Sequence, residues 1–327
     1  MKIKTETCKQ MAALIFGAVA VAAYLMTVLL PSQSAPTQTV SAPGEGDLVQ
    51  VVLLDSDATL IPYALTIESG LDTVARVRKV LDWMTIGHEP VQGARGLLPS
   101  AVRLEQCSLS SGQLSLSFSE EFRYYDPKLE MRLLEGITWA VTQFEEVEEV
   151  LLYIGDELLT HMPQLATPVP VPLNRQIGIN NFENTVSHLH DSDSLTVFYT
   201  RQKQGQTLYV PKTLRVSRNL TLLETVERIL ADLSVLSQLN QPLAASPLQI
   251  LACYQQEEML VLDLSGEILD EEKKVNEPLV TSLLLSLNSS LGFEKVLLKV
   301  DGVTVNLNGV NDDPIDITSL NPNQVFL

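Results

Sequence analysis

Basic residues, histidines, aromatics and catalytic motifs are all scarce in this chain, and each shortage closes off a class of function. Lys and Arg number 22 against 40 Asp and Glu, for a net charge of −18. Phosphates would be repelled by such a surface, which argues against nucleic-acid binding. Only four histidines occur, His88, His161, His188 and His190. No Gly-x-Ser-x-Gly elbow, Gly-x-x-x-x-Gly-Lys-Ser/Thr loop or His-Glu-x-x-His helix is present. No catalytic residue, metal site or cofactor is therefore assigned, and an enzyme is not expected. Aromatics make up 6% of residues within an apolar total of 45%. That balance fits a globular protein packed with Leu, Val and Ile.

Met11 to Leu30 is a run of 20 residues without a charge, preceded by Lys2, Lys4 and Lys9. At about 1.5 Å rise per residue such a run matches the roughly 30 Å of a bilayer core. The next basic residue is Arg76, so the positive-inside rule puts the N-terminus in the cytoplasm and the rest outside. Ser32-Gln-Ser34 and Ser34-Ala-Pro36 would suit signal-peptide cleavage, but a signal peptide has an apolar region of only about 7–15 residues. An uncleaved anchor is the expectation. No cysteine follows the run, so a lipid anchor is not expected.

Beyond the anchor the chain reads as one domain written twice. Adding 146 to each number carries Gln113–Phe122 onto Met259–Ile268, Val150–Ile154 onto Val296–Val300, and Cys107 onto Cys253. With one cysteine per repeat, neither repeat can close an internal disulfide, and both read as small, half-buried strand residues. A duplicated fold suggests a surface that binds or stacks. The organisation expected is a cytoplasmic N-terminus (1–10), a transmembrane helix (11–30) and a flexible linker (31–46). Domain 1 (47–156), a Pro-rich and polar linker (157–193), domain 2 (194–307) and a polar tail (308–327) follow. The stretch Met162–Pro172 holds four prolines, which predicts an extended, stiff connection.

Within each repeat, period-2 and period-3.6 patterns alternate. Strands are expected at 48–54, 61–67, 101–107, 113–118 and 147–154, and in the second copy at 195–199, 207–216, 248–254, 259–264 and 293–300. A further short strand is expected at 303–307. Helices are marked by Leu71, Val74, Val77, Leu81 and Met84, and by Leu129, Leu133, Ile137, Val141 and Phe144. Their counterparts run from Leu223 to Leu236 and from Leu279 to Leu291. The order strand, strand, helix, strand, strand, helix, strand predicts an α+β class: two repeated small α/β sandwich domains. Each would have a mixed sheet, two helices on one face and the other face free.

Particular residues carry a resemblance. Leu97-Leu-Pro-Ser-Ala-Val-Arg-Leu104 enters a strand, Leu114-Ser-Leu-Ser-Phe-Ser-Glu-Glu-Phe122 continues it, and a later helix ends in Thr142-Gln-Phe144. The second copy keeps Val261-Leu-Asp-Leu-Ser265 and ends its helix in Ser290-Leu-Gly-Phe293. This wording resembles the GerMN domain of the GerM sporulation and germination family, in two tandem copies. The resemblance implies a non-catalytic extracytoplasmic scaffold of a Gram-positive envelope, similar to ring-building motifs; the transmembrane anchor stands where a typical member has a lipid-modified cysteine. It would act in sporulation or germination, with other envelope or membrane proteins as partners, or with itself, and with the membrane held through residues 11–30. The alternative is a sensory ectodomain that binds a cell-wall fragment. A pocket between the repeats would favour it.

The remaining polar clusters read as structure rather than chemistry. His188-Leu-His190-Asp-Ser-Asp193 has zinc-ligating residue types but reads as solvated linker. Asp55-Ser-Asp57 and Asn311-Asp-Asp-Pro-Ile-Asp316 lack the spacing of a calcium loop and read as turn and tail. Glu120-Glu121, Glu257-Glu258 and the run Glu145–Glu149 read as water-facing. Trp83 and Trp139 read as core or edge packing. Tyr124 and Tyr125, before Asp126-Pro127, are the interface candidates.

Overall fold

A computed structural model describes residues 46–88, 91, 93–181, 192–237, 248–265, 268–269 and 275–324. The expected anchor at 11–30, together with His188, His190 and Asp191, lies outside the described residues. Among the described residues no helix is long and apolar enough to cross a membrane. Residues from 45 onward make one compact unit.

The first repeat opens with an antiparallel hairpin, β1 (Gly46–Leu54) and β2 (Leu60–Glu68). Helix α1 (Thr73–Trp83) follows. It begins where the Asp72 carboxylate accepts the Ala75 N–H at 2.7 Å, satisfying one of the free donors of the first turn. It buries Val77, Val80 and Leu81. Strands β3 (Leu104–Ser110), β4 (Gln113–Phe118), β5 (Glu149–Ile154) and β6 (Glu157–Leu158) form a mixed sheet in that order. Helix α2 (Glu130–Val141) connects β4 to the parallel β5.

The second repeat rebuilds this plan. A longer hairpin, β7 (Ser192–Lys203) and β8 (Gln206–Ser217), leads to α3 (Leu222–Ser237). The sheet contains β9 (Gln249–Gln256), β10 (Met259–Ser265) and β11 (Lys295–Val300), with α4 (Glu277–Leu291) between the last two. Helix α4 starts at Asn276, whose side chain accepts the Leu279 N–H, and stops at Gly292 in the left-handed region, φ +76°. Glycine adopts that conformation without steric penalty. Strands β12 (Val303–Asn306), β13 (Gly309–Val310) and β14 (Ile315–Asp316) extend the sheet.

The sequence offset maps ladder onto ladder. In the first repeat Leu114, Leu116 and Phe118 lie opposite Val150, Leu152 and Ile154. In the second, Leu260, Leu262 and Leu264 lie opposite Val296, Leu298 and Val300. Even the irregularities coincide, with Glu105 and Leu251 each bulged out of the edge strand. Cys107 and Cys253 sit on those edge strands, half-buried and free. Along β5 the buried Val150, Leu152 and Ile154 alternate with half-buried neighbours, so one sheet face meets the helices and the other stays open.

Four expectations need correction. Each repeat divides its strands between a hairpin and a separate sheet instead of one continuous sheet. The strand expected at 101–107 begins at Leu104, because residues 99–102 make a turn closed by the Val102 N–H and the Pro99 carbonyl. The segment 157–173 is no extended spacer. Met162 and Thr167 bond across a turn, Leu173 exchanges two backbone bonds with Val150, and Leu159, Met162, Val169 and Leu173 are buried. Proline fixes φ, but the apolar residues between the prolines gain more by burial, at about 1.5–3 kcal/mol for each fully buried Leu or Val. The polar tail, read as solvated, contributes β13 and β14 to the second sheet, and its Asn323 is buried.

Two cores result. The second draws only on its own repeat and the tail (Ile315, Ile317), whereas the first also takes in Ile179 of the connecting segment and Phe198, Leu208, Val210 and Leu285 of the second repeat. The repeats therefore share apolar burial as well as sequence.

Candidate functional site

Where the repeats meet, β2 and β8 lie side by side, and each carries a buried proline, Pro62 or Pro211. A proline has no N–H, so the two strands cannot pair directly there. Asparagine side chains supply the bonds instead. The Asn180 Nδ2 donates to the carbonyls of Leu60 (2.7 Å) and Pro211 (2.9 Å), and its Oδ1 accepts the Leu60 N–H at 2.8 Å. The Asn323 Nδ2 donates to the carbonyls of Pro62 (2.7 Å) and Tyr209 (2.8 Å), and its Oδ1 accepts the Tyr209 N–H at 2.8 Å. Both residues are buried, and both have positive φ, 52° and 59°. Asparagine tolerates that region better than other non-glycine residues.

Charges hold the far end of the same seam. Asp55, 4% exposed at the end of β1, accepts from Arg201 at 3.1 Å and is ion-paired with Lys203 of β7. Arg201 also binds Asp57, with Nη1 to Oδ1 at 3.2 Å. Its hydrogen bonds, opposed by partial burial, hold the Asp57 carboxyl down at about 2. Nearby on α2, Arg132 pairs with Glu135 and donates to the Ala58 carbonyl at 3.1 Å. Burial pushes the Glu135 carboxyl up, against the opposing pull of Arg132.

A cleft of about 620 Å³ opens between the repeats. Its walls come from β1 (Leu48, Gln50), α2 (Trp139), β7 (Ser194, Thr196) and α4 (Asn288). Arg175 of the connecting segment and Thr318, Leu320, Asn321 and Pro322 of the tail complete it. The Arg175 guanidinium lies 3.9 Å from the Trp139 ring centroid, a cation–π distance. Desolvation pushes its pKa down to about 10. The Trp139 Nε1, in a side chain only 5% exposed, has no hydrogen-bond partner. Among the described residues no group of three or more His, Cys, Asp or Glu is placed to hold a metal.

The residues singled out from sequence scatter. Tyr124 is 74% exposed. Tyr125 is half-buried, and its hydroxyl donates to Glu130 at 2.7 Å. Glu130 also accepts the N–H groups of Gln164 (2.9 Å) and Leu165 (2.6 Å) and the Thr167 hydroxyl. Burial alone would push the Glu130 carboxyl up, but these bonds outweigh it and hold it below the usual range. Asp55, expected in a solvated turn, is instead buried in the seam. Asn311, Asp313 and Asp316 make local turn bonds. Glu120 pairs with Arg123 at 2.7 Å, and Glu146 accepts from Thr73 at 2.9 Å. Trp83 stacks on His88 at 4.6 Å. Asn180, Arg175 and Asn323 were not anticipated. The signal for a covered edge was the proline inside each second strand.

Comparison with known proteins fits this architecture. The profile of the Germane family, described as sporulation and spore germination, matches residues 51–160. The chain is 24% identical over 264 residues to the spore germination protein GerM of Bacillus subtilis (strain 168), a match covering 77% of this chain and 71% of that one. The solved tandem GerMN domains of the sporulation protein GerM from Bacillus subtilis share its fold. Their TM-score is 0.69 at 22% identity, over 83% of this chain and 97% of that one. Residues 51–160 thus carry a Germane domain, and the chain as a whole shares the fold of the tandem GerMN domains.

The residues that carried the GerMN resemblance now have physical roles. Leu97 and Leu98 both donate their N–H to the Met84 carbonyl, docking the Leu-Pro approach on the end of α1. Gln143, after α2, caps the outer edge of β1: it receives the Gln50 N–H at 2.7 Å and donates to the Gln50 carbonyl at 2.8 Å. In the second GerMN copy Ser290 does the same for Thr196, accepting its N–H at 3.0 Å and donating to its carbonyl at 2.9 Å. A short hydroxyl thus replaces a long amide at one equivalent place.

Proposed function

We propose that this chain is a non-catalytic GerM-like protein that serves in sporulation or germination as a scaffold of the cell envelope. Residues 11–30 would hold it in the membrane as a single-pass anchor with the N-terminus cytoplasmic. The two GerMN-like repeats would stand outside as a ring-building-motif-like, protein-binding unit. The observation that carries this reading is the seam. Buried asparagine bonds, a shared core and a charged clamp fix the two repeats in one geometry, as a scaffold that sets the spacing of its partners requires. The acidic surface would favour basic partner domains and speed their capture. Tyr124 is the exposed aromatic suited to anchor a contact.

The test is crosslinking and co-purification of the tagged full-length chain from intact host cells, during growth and during sporulation. Recovery of sporulation or wall-synthesis membrane proteins is expected. Recovery of the chain alone in both stages would overturn the scaffold.

The cleft between the repeats favours a second reading, a ligand-binding ectodomain that recognises a cell-wall fragment. Thermal shift with soluble muropeptides tests it: a saturable rise in melting temperature is expected, and no shift would remove it.

A further inference from the structure

In charge, the cleft runs against the rest of the molecule. The chain carries −18 overall, yet Arg175 is the single ionisable residue among those that line the cleft. Arg175 takes part in none of the ion pairs among the described residues. A half-buried guanidinium without a countercharge is an unfavourable arrangement, because the water it loses is not replaced by a partner. The Trp139 ring supports one face of it at 3.9 Å and leaves the planar fork of N–H donors free. That fork matches the two oxygens of a carboxylate.

The rest of the wall narrows the ligand. Ser194, Ser289 and Asn321 present neutral hydroxyl and amide groups, while Leu48 and Leu285 are apolar. Amide and hydroxyl groups suit the backbone of a peptide, and a lone cation suits one negative charge better than the two of a phosphate. A volume of about 620 Å³ falls within the roughly 300–1,000 Å³ of small-ligand sites. We propose that this cleft binds a short peptide by its free C-terminal carboxylate, which Arg175 receives while the neutral polar wall holds the peptide backbone. This deepens the ligand-binding reading and rests on it. The scaffold reading stands or falls separately, by its partners.

The test uses the full-length chain with Trp83→Phe, so that Trp139 is the remaining tryptophan, and follows its fluorescence. The probes are tri-alanine with a free carboxylate, tri-alanine amide and inorganic phosphate, each to ~10 mM, a range that detects even weak sites. A saturable change with the acid, weakened roughly thirtyfold or more in Arg175→Met, is expected, because that variant removes the charge partner. Arg175→Lys keeps the charge but not the fork, and should bind with intermediate affinity. Should Arg175→Met fail to fold, the comparison of acid with amide on the Trp83→Phe chain, and of that chain with Arg175→Lys, decides the matter. Equal binding of acid and amide, undiminished binding in Arg175→Met, a response to phosphate alone, or no response to any probe would each overturn the proposal. Loss of this binding with partners still recovered from cells would remove the cleft and leave the scaffold.

Discussion

Asn180 does for Leu60 and Pro211 what Asn323 does for Tyr209 and Pro62. Each asparagine closes two bonds with the backbone of one residue and adds a third to the proline carbonyl of the other repeat. Asn180 follows the first repeat and Asn323 follows the second, so the seam is a pseudo-twofold interface made within one chain. Such self-complementary contact is usual between identical subunits. Here the connecting segment and the tail supply its two keystones.

Asn180→Ala and Asn323→Ala should therefore have matching effects. Each strands a backbone N–H and two carbonyls, and the expected loss is about 1–3 kcal/mol per variant. Urea denaturation of the two variants measures it. A large loss in one with none in the other would contradict the equivalence.

The Asp55 clamp predicts a rescue. Removing both cations with Arg201→Met and Lys203→Met leaves a buried carboxylate unpaired, at a cost of ~3–5 kcal/mol. Adding Asp55→Asn to that double variant should restore most of the loss, because the stranded charge is gone. Thermal unfolding of the double and triple variants checks this, and failure of the third change to help would show that Asp55 is not the burdened group.

Asp57 gives a pH signature. Its carboxyl is held at about 2, below the ordinary aspartate value, so the folded state binds this proton more weakly than the unfolded chain. The stabilisation is complete above the unfolded value and is lost as pH falls from there through the folded one. Subtracting the melting curve of Asp57→Asn from that of the wild type should isolate a difference that fades between those two values. Asp57 is 47% exposed in its side chain, so salt should shrink the difference. A difference independent of pH would rule out the Arg201 pairing as its cause.

Gly96 should not tolerate a side chain. A Cβ there would sit 2.4 Å from both the carbonyl carbon and the oxygen of Thr85, which are backbone atoms that cannot rotate away. Gly96→Ala should cost about 1–3 kcal/mol as an overpacked substitution, read from the urea midpoint. Gly155→Ala is not its control, since Gly155 has φ +56° and open space. Its strain is conformational and leaves the docking of Leu97 and Leu98 on Met84 intact. A normal midpoint for Gly96→Ala would mean that this approach can shift without loss.

Local pattern carried much of the fold. The alternation of Leu114, Leu116 and Phe118 with polar neighbours, and the spacing of Leu133, Ile137 and Val141, each encode one face of one element. Burial then selects that face whatever the neighbouring chain does. The Leu-Leu-Pro and Thr-Gln-Phe wording was equally legible, because it serves contacts within one repeat.

By itself, then, the sequence determined the duplicated α+β plan and its resemblance to GerMN domains, since each follows from short-range periodicity or from an offset that repeats. The tertiary structure alone decided how the two copies meet. Asn180 bonds to Leu60 at a separation of 120 residues, and Asn323 to Pro62 at 261. Arg175 reaches Trp139 from a segment that reads as linker. Such residues lie in stretches without period, and a single asparagine or arginine has no pattern of its own. It acquires a role only when folding brings an unpaired edge, a buried carboxylate or an aromatic face to it.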